Sequence, residues 1–246
     1  AVKASTNLDF TEGLKKEREL FKICHGSKES SSLIHMFFSE RQALKIPDIP
    51  KETKVLPINS AAVIGCGTMG GGIAMNFANV GIPVVVVENS QESLDKGMKI
   101  IEKNYLNTVS KGRMSESDFK NKMSLIKGAT NLESISNVDV IVEAVFEEMS
   151  LKKEMFERID KLAKRNCILA TNTSTLDIDK IADSTSRPAY VIGTHFFSPA
   201  NVMKLLEIVR GENTSKEVIA STMKLAKSIK KVPVLAGNCD GFIGNR

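Results

Sequence analysis

The stretch that decides the fold is AAVIGCGTMGGGIAMNFANVGIPVVVVE, residues 61–88. It begins with a short apolar strand pattern, and the glycine-rich sequence GCGTMG follows at residues 65–70. A helical pattern then covers residues 68–80, and the β-branched run at 83–88 indicates a second strand buried on both faces. This order of strand, glycine turn, helix and strand predicts the first part of a dinucleotide-binding α/β fold.

Each glycine of the G-x-G-x-x-G sequence has a predicted purpose. Gly65 makes the tight turn, Gly67 lets a pyrophosphate approach the backbone, and Gly70 lets the helix pack closely against the strand. Glu88 ends the second strand 23 residues after Gly65, where an acid on the adenosine ribose is expected. The alternative, a tight turn followed by an exposed carboxylate, is disfavoured by the order of the elements. The predicted NAD-binding residues here are Gly65, Gly67, Thr68, Met69, Gly70 and Glu88, with Thr68 and Met69 at the helix N-terminus.

The rest of the chain alternates in the same way. Strand patterns cover residues 138–145, 167–171, 190–194, 205–209 and 232–235. Helical patterns cover residues 93–110, 150–163, 176–183 and 215–230. Strands that alternate with helices predict an α/β fold: a doubly wound, Rossmann-type parallel sheet with helices on both faces.

The composition is that of an ordinary globular protein, with 42% hydrophobic and 26% charged residues. The net charge of +5 mildly favours anionic ligands such as a nucleotide or coenzyme A. The sequence has no basic stripe interleaved with aromatic residues, which would indicate binding to nucleic acid. No apolar run approaches the ~20 residues that a membrane helix needs. The four cysteines form no CxxC pair, so we expect free thiols, with Cys66 and Cys167 buried, and no zinc site.

The N-terminal region follows a different pattern. Residues 1–44 are helical and amphipathic, and the three prolines between Pro47 and Pro57 exclude a regular helix there. We therefore expect a semi-extended linker after the helices. The predicted divisions are helices at 1–44, a linker at 45–59, a dinucleotide-binding domain at 60–240 and a short remainder at 241–246.

His195 and Glu207 are candidates for proton transfer. His195 follows a strand pattern, and Glu207 lies twelve residues later inside the apolar run LLEIV at 205–209. A carboxylate with such neighbours costs stability unless it is paired, and a histidine is a natural partner. Pairing would orient the imidazole as the general base that oxidation of an alcohol by NAD requires. From spacing alone, a core histidine and an edge-strand glutamate remain the alternative.

Polar residues follow the strand pattern at 167–171, in the sequence NTST at 172–175. Polar groups at the carboxyl end of a parallel strand face the ligand crevice. A serine or threonine at this place also caps the next helix well. The sequence leaves both roles open for these hydroxyl groups.

Several motifs, in this order and spacing, resemble the L-3-hydroxyacyl-CoA dehydrogenase family over about residues 60–246. They are VIGCGTMG at 63–70, VEAVFE at 142–147, NTSTL at 172–176, GTHFFSP at 193–199 and DGFIGNR at 240–246. The resemblance implies a Rossmann domain that binds NAD and takes part in oxidising the 3-hydroxyl group of an acyl-CoA substrate.

The resemblance also implies roles for individual residues. His195 would be the catalytic base and Glu207 its partner. Ser174 would bind the substrate's 3-oxygen, and Asn245 would be a second polar group of the active site.

On the cofactor side, the resemblance places Glu147 and Lys152 near the nicotinamide ribose and assigns Asn172 to the cofactor site. Ser198 departs from the family pattern, because many members have asparagine there. This departure puts a direct polar contact from position 198 in doubt.

The sequence HFFSP at 195–199 and the N-terminal region resemble the multifunctional β-oxidation branch of the family, of the peroxisomal bifunctional type. Residues 12–17 and 37–41 resemble the last helices of an enoyl-CoA hydratase/isomerase domain. The resemblance implies a peroxisomal location, a hydratase domain before the chain and a helical domain that begins near Gly241. We therefore expect the chain to be part of a longer enzyme and to be weakly active or inactive alone.

Two rival interpretations remain. A non-catalytic NAD-binding module would account for the glycine loop but not for a pairing of His195 with Glu207. A 3-hydroxybutyryl-CoA or 3-hydroxyacid dehydrogenase would differ in chain-length preference, which the sequence does not supply.

Overall fold

The computed structural model describes all 246 residues, which form two compact units, Ala1–Lys45 and Ile46–Arg246. The N-terminal unit contains three helices: α1 (Val2–Ser5), α2 (Phe10–His25) and α3 (Lys28–Ala43). None of their residues is buried, and large apolar side chains on α2 and α3 are exposed. No helix of the structure combines the length and the apolar character needed to cross a bilayer.

The second unit is built around a sheet of eight strands. These are β1 (Ala61–Ile64), β2 (Val84–Val87), β3 (Ile126–Ala129), β4 (Val140–Glu143), β5 (Ile168–Thr171), β6 (Val191–Phe196), β7 (Leu205–Arg210) and β8 (Val232–Gly237). Their order is β3-β2-β1-β4-β5-β6-β7-β8. Strands β1 to β6 are parallel, whereas β7 runs antiparallel to β6, and β8 is parallel to β7. The predicted Rossmann-type fold is confirmed, with the last two strands reversed relative to an all-parallel sheet.

Helices cover both faces of this sheet. They are α4 (Thr68–Ala78), α5 (Gln91–Ser110), α6 (Glu116–Ser124), α7 (Met149–Leu162), α8 (Ile178–Ala182) and α9 (Lys216–Ser228). One apolar core includes residues of α4, α5 and α9, and the other includes residues of α7 and α8. Strand β1 serves both, because Val63 belongs to the first core and Ala62 to the second. This alternation is the two-residue period of a strand.

Helix α6 and strand β3 occupy a stretch for which no element is predicted. The sequence of β3, IKGA, is only partly buried and lacks a clear apolar pattern. It is a strand because Ile126–Ala129 pairs with the edge of β2, with Ile126 opposite Val84. Tertiary pairing, and not local propensity, decides its conformation.

The segment before β1 has no helix or strand and contains two turns, closed by bonds from Ile49 to Ile46 and from Thr53 to Pro50, and it packs against the sheet unit. Its partly buried apolar residues contact the first core; they are Ile46, Ile49, Leu56 and Ile58. The N–H group of Leu56 donates to Ser221 Oγ at 2.8 Å, and the Asp139 carboxylate accepts from the N–H groups of Asn59 and Ser60. The predicted linker is therefore fixed along this unit.

Candidate active site

A cleft with a volume of about 560 Å³ lies at the carboxyl ends of β1, β2 and β4. The strand order reverses between β1 and β4, and ligands of doubly wound sheets bind at such a switch point. Of the predicted cofactor residues, Gly65, Gly67, Thr68, Met69 and Glu88 line this cleft.

The three glycines of the loop are required for different reasons. Gly65 has a φ of +99°, and a Cβ there would lie 2.8 Å from the carbonyl oxygen of Ala144. A Cβ on Gly70 would lie 1.9 Å from the Gly65 oxygen, so this glycine lets helix and strand approach. A Cβ on Gly67 would meet no atom within 4 Å. Packing therefore explains Gly65 and Gly70, whereas Gly67 leaves room beside the helix for a pyrophosphate.

The start of α4 supplies the polar groups of this wall. Gly67 is the N-cap of the helix and provides no side-chain hydrogen bond to the first turn. The N–H groups of that turn therefore remain free for a phosphate, and the positive end of the helix dipole favours it.

Glu88 lies at the end of β2 with its carboxylate held by backbone groups. Oε1 accepts from the N–H of Cys66 at 2.8 Å, and Oε2 accepts from the N–H of Asn89 at 3.0 Å. Burial, followed by the charge of Glu88, raises the pKa of the Cys66 thiol to about 11. The thiol is therefore protonated near neutral pH, and Cys66 and Cys167 are both buried and free, as predicted.

His195 and Glu207 face each other on neighbouring strands. They are register partners in the antiparallel pair β6–β7, and His195 Nδ1 lies 2.7 Å from Glu207 Oε2. Both are buried, with exposed fractions of 7% and 1%. Because a carboxylate can only accept, this bond places a proton on Nδ1, and in the neutral imidazole Nε2 then carries the lone pair. The rings of Phe197 and Phe242 pack beside the imidazole, with centroids 4.3 and 5.9 Å away.

The second oxygen of Glu207 binds the end of the chain. Oε1 accepts from the N–H of Ile243 at 3.1 Å and from the N–H of Gly244 at 2.7 Å. The sequence predicts no role for either residue, because a bond from a backbone N–H group does not depend on which side chain the residue has.

Ser174, Glu147 and Asn245 come together in the structure. Glu147 Oε1 accepts from the hydroxyl of Thr173 at 2.6 Å and from the N–H and hydroxyl of Ser174 at 2.7 and 3.1 Å. Partial burial would raise the pKa of Glu147, but these bonds and the charge of Lys152 outweigh it and lower the pKa. Asn245 Nδ2 donates to the Ser174 carbonyl at 3.4 Å, so both predicted substrate-side residues share one location.

Lys152 is held inside the fold by two carboxylates. Its side chain is fully buried, and Nζ donates to both oxygens of Glu143, at 2.8 and 3.0 Å. It lies 3.5 Å from Glu147 Oε2 and so reaches the cofactor side only through that carboxylate. Lys152 is one of the buried residues of α7, whereas Leu151, Met155 and Arg158 of the same helix line the cleft.

Glu143 is a buried residue that the sequence analysis missed. Besides Lys152, it accepts from the hydroxyl of Thr171 at 2.7 Å and from the N–H of Val145 at 2.7 Å. A signal was available: Glu143 ends the apolar run VIVE just as Glu207 lies inside LLEIV. The same argument from burial applies to both carboxylates.

Asn172 lies outside the cleft beside Gly67. Its Oδ1 accepts from the N–H of Phe196 at 3.0 Å, and its own N–H donates to the Glu143 carbonyl at 2.7 Å. Asn172 therefore ties β5 to β4 and to the strand that carries His195. Ser198 is exposed in the loop after β6.

Comparison with protein families identifies the family to which this chain belongs. The family described as "3-hydroxyacyl-CoA dehydrogenase, NAD binding domain" matches residues 60–239. The chain belongs to the 3-hydroxyacyl-CoA dehydrogenase family. NAD is the cofactor of this domain, and the open space at Gly67 and the free first turn of α4 fit it.

Individual relatives agree with this membership. The chain is 44% identical over 254 aligned residues to the peroxisomal bifunctional enzyme of Cavia porcellus, covering 100% of this chain and 34% of that protein. The dehydrogenase part of multifunctional enzyme 1 from C. elegans has a TM-score of 0.71 at 34% identity, covering 81% of this chain and 48% of that one. For (S)-3-hydroxybutyryl-CoA dehydrogenase from Ralstonia eutropha the TM-score is 0.75 at 36% identity, covering 76% and 66%. The chain spans about a third of the length of the curated relative.

Proposed function

We propose that this chain is the cofactor half of an enzyme that oxidises L-3-hydroxyacyl-CoA to 3-ketoacyl-CoA with NAD⁺ in fatty acid β-oxidation. The observation that carries the proposal is the buried His195–Glu207 pair at the carboxyl edge of β6, whose Nδ1–Oε2 bond leaves Nε2 as the proton acceptor. Bound NAD⁺ supplies the hydride acceptor in this chemistry.

The residues of this chain divide the remaining work. His195 Nε2 takes the hydroxyl proton as the 3-carbon is oxidised, while Glu207 holds the imidazole in the required tautomer. Ser174 binds the 3-oxygen of the substrate, and Asn245 is a second polar group of the active site. Glu147 orients Ser174 through the bonds described above. The buried ammonium group of Lys152 in turn forms an ion pair with Glu147.

We also propose that the full-length protein is a multifunctional hydratase/dehydrogenase of the peroxisome. In this proposal α1 to α3 are the last helices of the hydratase domain, and a helical domain that completes the substrate cleft begins near Gly241. Supporting observations are the names of the curated relatives and the exposed apolar side chains of α2 and α3. In this proposal the second domain would help to position the substrate, and positioning can be worth roughly 7–11 kcal/mol of barrier.

The test is the reduction of acetoacetyl-CoA, which is measured as the loss of NADH absorbance. We expect the present chain to bind NADH but to turn over poorly or not at all, and the full-length protein to be active. NADH binding without turnover in the full-length protein would instead favour a non-catalytic NAD-binding module. Deletion of residues 1–44 should leave NADH affinity nearly unchanged; loss of binding in a folded deletion variant would contradict the domain assignment.

A further inference from the structure

We propose that residues 241–244 form a positioning element for the base: the backbone N–H groups of Ile243 and Gly244 hold Glu207, which in turn sets the orientation of His195. The inference rests on the proposed role of His195, and it adds a third segment of the chain to the machinery of proton transfer.

The contacts of Glu207 show a division between its two oxygens. Oε2 binds His195 Nδ1, while Oε1 accepts from the N–H groups of Ile243 and Gly244, at 3.1 and 2.7 Å. A carboxylate held at one oxygen can still rotate about its terminal torsion, which is a soft one. Donors on both oxygens remove that freedom, and the two N–H groups also compensate the burial of the carboxylate.

The turn that delivers these N–H groups has an unusual backbone. Gly241 has a φ of +70°, and a Cβ there would lie 2.9 Å from the backbone of Asn245. Phe242 also has a positive φ, 53°, which is uncommon for a residue with a bulky side chain. Its side chain is 1% exposed, and its ring lies next to the imidazole of His195. Burial of this ring compensates the strained backbone and fixes the turn at the base.

Gly244 is a second constrained glycine of the segment, besides Gly241. A Cβ there would lie 2.7 Å from Cζ of Phe197 and 3.5 Å from Glu207 Oε1. A side chain at position 244 would therefore require the ring of Phe197 to shift, and it would contact Glu207 Oε1. Because Phe197 lies against His195, we expect this shift to reach the base.

The test compares glycine-to-alanine variants of the full-length protein. Gly244→Ala should lower kcat about tenfold or more, a part of the 10²–10⁴-fold that a base contributes, while the Kd for NADH is unchanged. Gly237→Ala is the matched control, because a Cβ there meets no atom within 4 Å, and it should behave as wild type. The pH profile of kcat should change in Gly244→Ala only.

A double-mutant cycle separates positioning from general damage. In a Glu207→Ala background, Gly244→Ala should cost little further activity, because the group through which it acts is gone. An equal loss in both backgrounds, or no loss in the single variant, would overturn the inference.

If Gly244→Ala does not fold, hydrogen exchange provides the test. The peptide containing residues 241–244 should exchange faster in Glu207→Ala than in wild type, and equal rates would overturn the inference. Failure of the proposed function is distinct, because there His195→Gln itself retains activity.

Discussion

The cofactor end and the base end of the site are constructed in opposite ways. At the cofactor end, consecutive residues at 65–70 contribute backbone atoms and empty space, and Gly67 has no neighbour within 4 Å of a built Cβ. At the base end, His195 and Glu207 come from adjacent strands and a third segment closes over them. The cofactor end is vulnerable to added atoms, whereas the base end is vulnerable to the loss of a side chain and, at Gly244, to an added methyl group.

The largest expected effect is at the base. In the full-length protein, His195→Gln should lower turnover by about 10²–10⁴-fold, because the proton acceptor is lost. Glu207→Gln should cost less, since it weakens the orientation of the imidazole without deleting it. Acetoacetyl-CoA reduction measures both variants, and NADH titration is the control, because neither residue lines the cofactor cleft. A His195→Gln variant with more than about a tenth of wild-type activity would show that the base lies elsewhere.

The next largest effect concerns the buried ion pair that connects the two ends. Lys152→Met should lower the free energy of unfolding by about 3–5 kcal/mol, because it leaves the Glu143 carboxylate buried without its cation. Denaturant unfolding measures the change. Lys180→Met is the control: its pair with Asp177 is 3.8 Å long with side chains 65% and 40% exposed, so the change should be small.

The double variant Glu143→Gln/Lys152→Met sharpens this prediction. It should recover much of the lost stability, because no unpaired charge remains in the core. Equal stability of Lys152→Met and wild type would show that Glu143 finds another partner or is neutral in the fold.

These two ends also differ in how far the sequence predicts them. The glycine loop is local, so residue order alone gives its strand, turn and helix, and the acid at Glu88 follows from spacing. The pairing of His195 with Glu207 could be anticipated because a carboxylate inside an apolar strand needs a partner. The N–H donors of Ile243 and Gly244 could not, since no property of a side chain records what its backbone binds.

Other features could not be predicted for physical reasons of the same kind. The motifs do not state which way a helix or a strand end turns each side chain, so the bonds of Lys152 to Glu143 and of Asn172 to the N–H of Phe196 could not be predicted. Strand β3 forms by pairing with β2, which local sequence does not encode. The reversal of β7 depends on the short connection after β6, whose direction no hydrophobic pattern reports.

A smaller effect is expected for cofactor discrimination at Glu88. The wild-type protein should prefer NADH to NADPH by about 100-fold, because the carboxylate accepts from ribose hydroxyls and repels a 2′-phosphate. Glu88→Ala should reduce the preference for NADH to about tenfold or less, because NADH binding becomes weaker and the 2′-phosphate of NADPH is no longer repelled. Dissociation constants within about a factor of three in the wild type would contradict the role of Glu88.

The smallest effect tests the cofactor end by adding a single methyl group. In Gly67→Ala the new Cβ meets no protein atom within 4 Å, so the free energy of unfolding should stay close to wild type. The same Cβ enters the space in which the pyrophosphate approaches the helix N-terminus, so NADH affinity should fall by about tenfold, which corresponds to about 1.4 kcal/mol. Gly70→Ala provides the contrast, because its Cβ would lie 1.9 Å from the Gly65 oxygen and should damage the fold itself. Unfolding curves and NADH titration of the two variants separate the cases. Unchanged NADH affinity in Gly67→Ala would mean that the pyrophosphate does not pass this glycine, and the loop would then be a packing feature alone.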